Sequence, residues 1–171
     1  MGCLTTLNSL SPRAENASDA ERYRQAYGAA LRLLVRREHS AQELRQKLKQ
    51  RRCPAAVADR VIAALRDEGA LSDRRFVEIY VQGRFERGFG PLRIAAELRE
   101  RGVDPLLIDA ALDAYAQAWR ASARRQRHRR FGAGVPAEFS DRIRQVRFLQ
   151  RRGFNADQIH AALDDAVEAD I

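Results

Sequence analysis

Three stretches of this chain can be laid over one another. Residues 48–62 read LKQRRCPAAVADRVI, residues 98–112 read LRERGVDPLLIDAAL, and residues 149–163 read LQRRGFNADQIHAAL. Each opens on a leucine, passes a basic residue and a turn, and closes on an aliphatic residue. Arg52, Gly102 and Gly153 stand in register at the turn, followed by Cys53, Val103 and Phe154 as apolar staples. The opening leucines, Leu48, Leu98 and Leu149, are 50 and 51 residues apart. A near-constant period of this size marks a repeated supersecondary unit. The first copy lacks the turn glycine, and its inner aliphatic, Val57, comes one place early. A unit of about 50 residues has little core of its own. Neighbouring units are therefore expected to lean on one another, or to share a long helix through Ala116, in an elongated all-α tandem array of three three-helix repeats.

The middle copy is the best punctuated. Ser72 or Asp73 can cap a first helix, and Phe76, Ile79, Tyr80 and Gly83 fall on one face, expected to be buried. Gly88 ends that helix, Gly90 relaxes the corner, and Pro91 opens the next, where its missing N–H has no helical partner to lose. Elsewhere, Ser40 and Glu43 form a capping box, Pro54 opens a third helix, Asp104 and Asn155 are caps, and Gly69, Gly102 and Gly153 are stops. From Leu106 through Ile108, Leu112, Tyr115 and Trp119 the helical pattern runs on unbroken, as far as Phe131. Residues 1–18 lack periodicity and read as a mobile tail. The expected repeats are 19–69, 70–114 and 115–171.

Chemistry is harder to find than charge. His39, His128 and His160 are scattered, and none has a second ligand at metal spacing. His39, just before a helix cap, reads as a surface residue. Cys53 has no activating neighbour and reads as a small apolar residue. With only Cys3 and Cys53, no disulfide framework is expected. Gly88-Phe89-Gly90-Pro91 follows a helix rather than a strand and lacks the GK[ST] ending, so it forms a corner and not a phosphate loop. Met1-Gly2 with Thr6 fits a loose myristoylation pattern and reads as a chance match. No apolar run approaches a membrane span, and no secretory leader is evident. These features argue against an enzyme, a cofactor or a bound metal.

The formal net charge is +8, and nearly all the basic residues are arginine, whose planar fork suits phosphate and carboxylate. From Ala114 to Ala137 there is no acidic residue, and Arg120, Arg124, Arg125, Arg127, Arg129 and Arg130 lie within that stretch. Arg120, Arg124 and Arg127 share a helical face, where unpaired like charges repel by a few tenths of a kcal/mol per pair unless an anion relieves them. Arg84, Arg87 and Arg93 flank the central corner, and Arg147, Arg151 and Arg152, with Arg142 and Arg144, lie in the third unit.

Taken together, Asp73, Phe76, Tyr80, Arg84, Gly88, Gly90-Pro91, Ile94, Glu97-Leu98 and Gly102 resemble the central motif of the bacterial RecX regulatory proteins. The opening signature of that family is similar to Arg37-Glu38-His39-Ser40, Glu43-Leu44 and Lys47-Leu48. Arg130-Phe131, Arg147-Phe148-Leu149 and Arg152-Gly153-Phe154 resemble its third unit. The resemblance covers about residues 20–167 and is poorest in the tail and at Cys53. It implies a cytoplasmic protein built of three-helix repeats that modulates RecA, the recombinase that forms filaments on single-stranded DNA; a monomer is expected. It implies binding along the filament groove and inhibition of strand exchange, ATP hydrolysis and SOS co-protease activity. The partners implied are the RecA filament and single-stranded DNA, with double-stranded DNA a further possibility and no membrane. The twelve candidate contacts are Arg84, Arg87, Arg93, Arg120, Arg124, Arg125, Arg127, Arg129, Arg130, Arg147, Arg151 and Arg152. The alternative is a stand-alone basic helical DNA-binding protein.

Overall fold

Short side chains close the helix starts as the sequence leads one to expect. Ser40 Oγ accepts from the Glu43 N–H at 3.0 Å, and Asp104 Oδ1 accepts from the Leu106 N–H at 2.8 Å. Asn155 and Gln158 cap reciprocally: the Gln158 N–H donates to Asn155 Oδ1 at 2.9 Å, and Gln158 Oε1 accepts from the Asn155 N–H at 3.0 Å. These signals delimit nine α-helices, with no strand, among the residues that the computed structural model describes, 12–134, 136 and 138–164. The chain divides into two units that part between Ser72 and Asp73.

The first unit holds α1 (Pro12–Leu34), α2 (Ala41–Gln50) and α3 (Ala55–Asp67). Helix α1 starts at Pro12 rather than Asp19. Pro12 fits the first turn of a helix, and Arg13, Ala14, Glu15 and Ala17 are good helix formers. Residues 1–11, including Cys3, lie outside the described residues. The core of this unit is small and aliphatic: Ala30 of α1, Leu44 and Leu48 of α2, Val61 and Leu65 of α3, and Leu71. His39 is buried at 3% exposure, against expectation. Its Nδ1 lies 3.0 Å from Glu43 Oε2, so the capping glutamate also fixes the ring. Burial pulls the His39 pKa down, which keeps the imidazole neutral at pH 7.

The second unit holds α4 (Asp73–Glu86), α5 (Pro91–Glu100), α6 (Pro105–Asp113), α7 (Trp119–Phe131), α8 (Phe139–Arg152) and α9 (Ala156–Asp164). The buried face of α4 is Phe76, Val77 and Val81, with Tyr80 half-buried; Ile79 is 54% exposed. The real stripe is rotated by about one residue from the one the spacing suggests. The long helix through Ala116 is also interrupted. A single 3₁₀ turn, Ala116–Ala118, separates α6 from α7. The Trp119 indole N–H donates to Leu112 O at 3.3 Å, satisfying a carbonyl freed at the end of α6. Phe85 and Tyr115 pack on the Trp119 ring, with centroids 5.1 and 5.8 Å away.

Helices α4–α9 close on one core, in which Val81, Ile94, Leu98 and Ile108 of the middle copy meet Trp119, Leu149, Phe154 and Leu163 of the last. Two main-chain hydrogen bonds draw these copies together. The Gly90 N–H donates to Arg152 O at 2.7 Å, and the Leu92 N–H donates to Gly153 O at 3.0 Å. The backbones approach this closely because neither corner carries a Cβ. One built on Gly90 would lie 2.4 Å from Gly153 C and O, and one on Gly153 would lie 2.3 Å from Arg93 Cβ. Gly90 therefore does more than relax a corner.

Gly90→Ala should lower the stability of the second unit by about 2–3 kcal/mol in urea unfolding, an overpacking cost taken up by backbone. Gly83→Ala, on a helix with nothing within 4 Å of the added carbon, should instead stabilise by up to about 1 kcal/mol.

Candidate partner and nucleic-acid interface

The positions that concentrate charge sit around the corner between α4 and α5. The Glu97 carboxylate, from the second turn of α5, accepts from Tyr80 Oη at 2.6 Å on Oε2 and from Arg93 Nε at 3.0 Å on Oε1, and Arg84 Nε lies 2.8 Å from Oε2. Burial pushes the Glu97 pKa up, but the Tyr80 and Arg93 hydrogen bonds and the Arg84 and Arg93 charges outweigh it and hold the carboxyl below its ordinary range. Arg84 also donates to Tyr80 Oη at 3.0 Å, so the guanidinium, phenol and carboxylate form one fixed set.

Beside this set the Phe89 ring carries three cations. The guanidinium carbons of Arg93, Arg84 and Arg152 lie 4.4, 5.1 and 5.7 Å from its centroid. Arg152 reaches back from α8, donating to Arg87 O and Gly88 O at 3.1 Å, and it also stacks on Phe148 at 5.0 Å. Burial lowers the Arg152 pKa, and the Arg129 and Arg93 charges lower it further, which places Arg129 of α7 in the same field. The fold thus gathers Arg84, Arg93, Arg129 and Arg152 from four segments. Arg84 and Arg152 are partly buried and brace the seam, whereas Arg93 and Arg129 face outward.

Helix α7 does not present the face its arginine spacing suggests. Its packing stripe is Trp119, Ser122, Ala123, Gln126 and Arg127. Arg127 is 0% exposed. Its Nε donates to Gln145 Oε1 of α8 at 2.8 Å, and its Nη2 donates to Gly134 O. It bridges α7, α8 and their loop, so it is removed from the outward set and does not share a surface with Arg120 and Arg124. Those two, with Arg125, Arg129 and Arg130, are exposed. On α8, Arg144, Arg147 and Arg151 are exposed at helical spacing. Phe131 joins these helices: its ring packs edge-on to Phe148 at 5.3 Å, with Arg130 and Arg144 each 5.8 Å from its centroid. Arg87 is exposed on the corner itself.

Residue spacing alone does not point to Gln145 or to the placing of Phe89, Phe131 and Phe148 beside arginines. The adjacent pairs Arg130-Phe131 and Arg147-Phe148 are the available signal. Among the described residues no group of three His, Cys, Asp or Glu could hold a metal ion, and no helix is long and apolar enough to cross a membrane.

The fold is that of a tandem three-helix-repeat protein with an arginine- and phenylalanine-rich face, and the comparisons define it further. Family models match all three copies: RecX, first three-helix domain, at residues 26–65; second three-helix domain, at 72–112; and third three-helix domain, at 116–163. The regulatory protein RecX of Halorhodospira halophila is 53% identical over 142 residues, 83% of this chain and 88% of that one. That of Stenotrophomonas maltophilia is 41% identical over 133 residues, 78% and 82% of the two chains. The crystal structure of RecX from Lactobacillus salivarius superposes with a TM-score of 0.77 at 20% identity, covering 87% of this chain and 99% of that chain. The chain belongs to the RecX family of regulatory proteins.

Glu97→Gln should destabilise the second unit by about 1–3 kcal/mol at pH 7, since two guanidiniums lose their counter-charge. A carboxyl whose folded pKa is depressed stabilises above its unfolded pKa and loses that contribution as the pH falls. The stability curves of Glu97→Gln and the parent should therefore converge as the pH drops below about 4.5.

Proposed function

We propose that this protein regulates the RecA recombinase in the cytoplasm by binding its filament on single-stranded DNA, and that it inhibits recombinase, ATPase and co-protease activity. Membership of a family whose relatives carry the name regulatory protein RecX supports a regulatory role. The observation that carries the binding mode is the acid-free helix α7, with Arg120, Arg124, Arg125, Arg129 and Arg130 exposed beside Arg144, Arg147 and Arg151 of α8. Such a surface has charge to place against phosphate or acidic protein, and its arginines keep the fork that pairs with either. Arg93 and Arg87 extend it at the corner. Arg127 lies inside, and Arg84 and Arg152 hold the scaffold under the surface.

The second reading is a stand-alone DNA-binding protein, favoured by the interleaving of Arg130 and Arg144 with Phe131, an arrangement that suits phosphate contact beside a stacked base. A salt series on DNA alone separates the two. In the second reading that affinity dominates and falls steeply with salt.

Added at substoichiometric amounts, the protein should lower RecA-dependent ATP hydrolysis on single-stranded DNA. No effect on hydrolysis or strand exchange at any ratio would sink the proposal. Replacing Arg124, Arg125 and Arg129 together by alanine should weaken filament binding at unchanged helical content. If these three meet phosphate, the log–log salt slope should fall by about 2.

A further inference from the structure

In the first unit, eight arginines fall into two groups. Arg24, Arg37, Arg45 and Arg60 are paired with Glu21, Glu43, Asp59 and Asp19 at 2.7–3.0 Å. Arg22, Arg32, Arg51 and Arg52 have no ion pair or hydrogen bond from their side chains among the described residues, and these four line one half-open cavity of about 510 Å³. The cavity lies between α1 and the turn that joins α2 to α3. The buried Ala26, Ala29 and Leu48 make its floor aliphatic, exposed Pro54 adds to its wall, and among the described residues no carboxylate lines it. Four like charges around one cavity repel, and among the described residues no carboxylate relieves them.

The backbone gives a second, independent observation. Arg52 has φ +61° and is the one non-glycine residue with positive φ among those described. At the matching turns of the other two copies stand Gly102 (φ +67°) and Gly153 (φ +89°). Glycine adopts this conformation without strain, and arginine does not. Strain retained at one repeat and absent from the others points to a task for the side chain. The Arg52 side chain is exposed and lines the cavity.

We propose that this cavity binds an acidic peptide segment of a partner protein, with carboxylates on the four guanidiniums and an aliphatic side chain on the floor. Carboxylate fits because the donor set is all arginine. A peptide fits better than a nucleic acid because, among the described residues, no aromatic ring lines the cavity to stack a base, whereas the second unit places its arginines on Phe89, Phe131 and Phe148. Cys53 contributes wall and not reactivity, since burial pushes its thiol pKa up. The site does not depend on the recombinase reading: every residue in it belongs to the first unit.

The test uses the full chain and a fluorescein-labelled peptide, Glu-Glu-Val-Asp-Glu-Ile, followed by anisotropy. The peptide should bind, and its twin with alanine in place of valine and isoleucine should bind several-fold more weakly. Arg52→Gly should weaken binding about tenfold while melting at the same temperature as the parent or higher, because the strain is gone. Arg22→Ala, on the exposed face of a helix, should weaken it similarly. The proposal is overturned by absence of peptide binding, by equal binding of the alanine twin, or by unchanged affinity in Arg52→Gly. A lower melting temperature for Arg52→Gly overturns it too, since Arg52 would then serve the fold. So does an oligothymidylate that binds more tightly than the peptide through the same arginines, which would make the cavity a nucleic-acid site. Loss of DNA or filament binding in the α7 variants leaves this outcome untouched, so the two proposals fail separately.

Discussion

The second unit depends on a place where side chains are missing. The Gly90 N–H meets Arg152 O, the Leu92 N–H meets Gly153 O, and the missing Cβ atoms let the two strands of backbone pass. Main-chain hydrogen bonds between separate repeats are worth about 1 kcal/mol each, but leaving their groups buried and unpaired costs more. The seam therefore sets the register of the middle copy against the last, and the apolar residues fill in around it. Phe154, the staple of the last turn, is buried directly beside it.

The seam also decides what the arginines can do. Arg152 spends its donors on Arg87 O and Gly88 O, and its ring contacts on Phe89 and Phe148. Arg84 is held by Glu97 and Tyr80. Both are cations used as mortar, with their donors committed within the seam. Arg127 is a further case, with its guanidinium bound to Gln145 and Gly134 inside the helix packing. Outward charge is left to the exposed arginines of α7 and α8, with Arg87 and Arg93 at the corner.

Much of the fold could be read from the sequence because its signals are local. The caps at Ser40, Asp104 and Asn155 and the stops at Gly69, Gly88, Gly102 and Gly153 act within one turn of chain. The repeat period adds the three-helix unit, and the family match bears out the three copies. What escaped is what depends on tertiary packing. The stripe of α7 contains Ser122, Gln126 and Arg127, so counting apolar residues hides it. The break before Trp119 leaves no glycine or proline in the sequence, because an indole N–H bond to Leu112 O and aromatic packing stabilise it. At the candidate interface, spacing identified the arginine-rich helix. It could not sort exposed arginines from buried ones, since helices α8 and α9 decide that from a distance.

The break between α6 and α7 has an optical consequence. Trp119 is the single tryptophan of the chain, buried at 4% exposure among Phe85 and Tyr115 in the core of the second unit. The first unit has tyrosine only, Tyr23 and Tyr27, stacked 6.0 Å apart. Excitation at the red edge of the indole band thus reads the second unit alone, while the far-ultraviolet dichroism of the helices sums both. The chain carries its own spectral label for asking whether its two cores melt together or in turn.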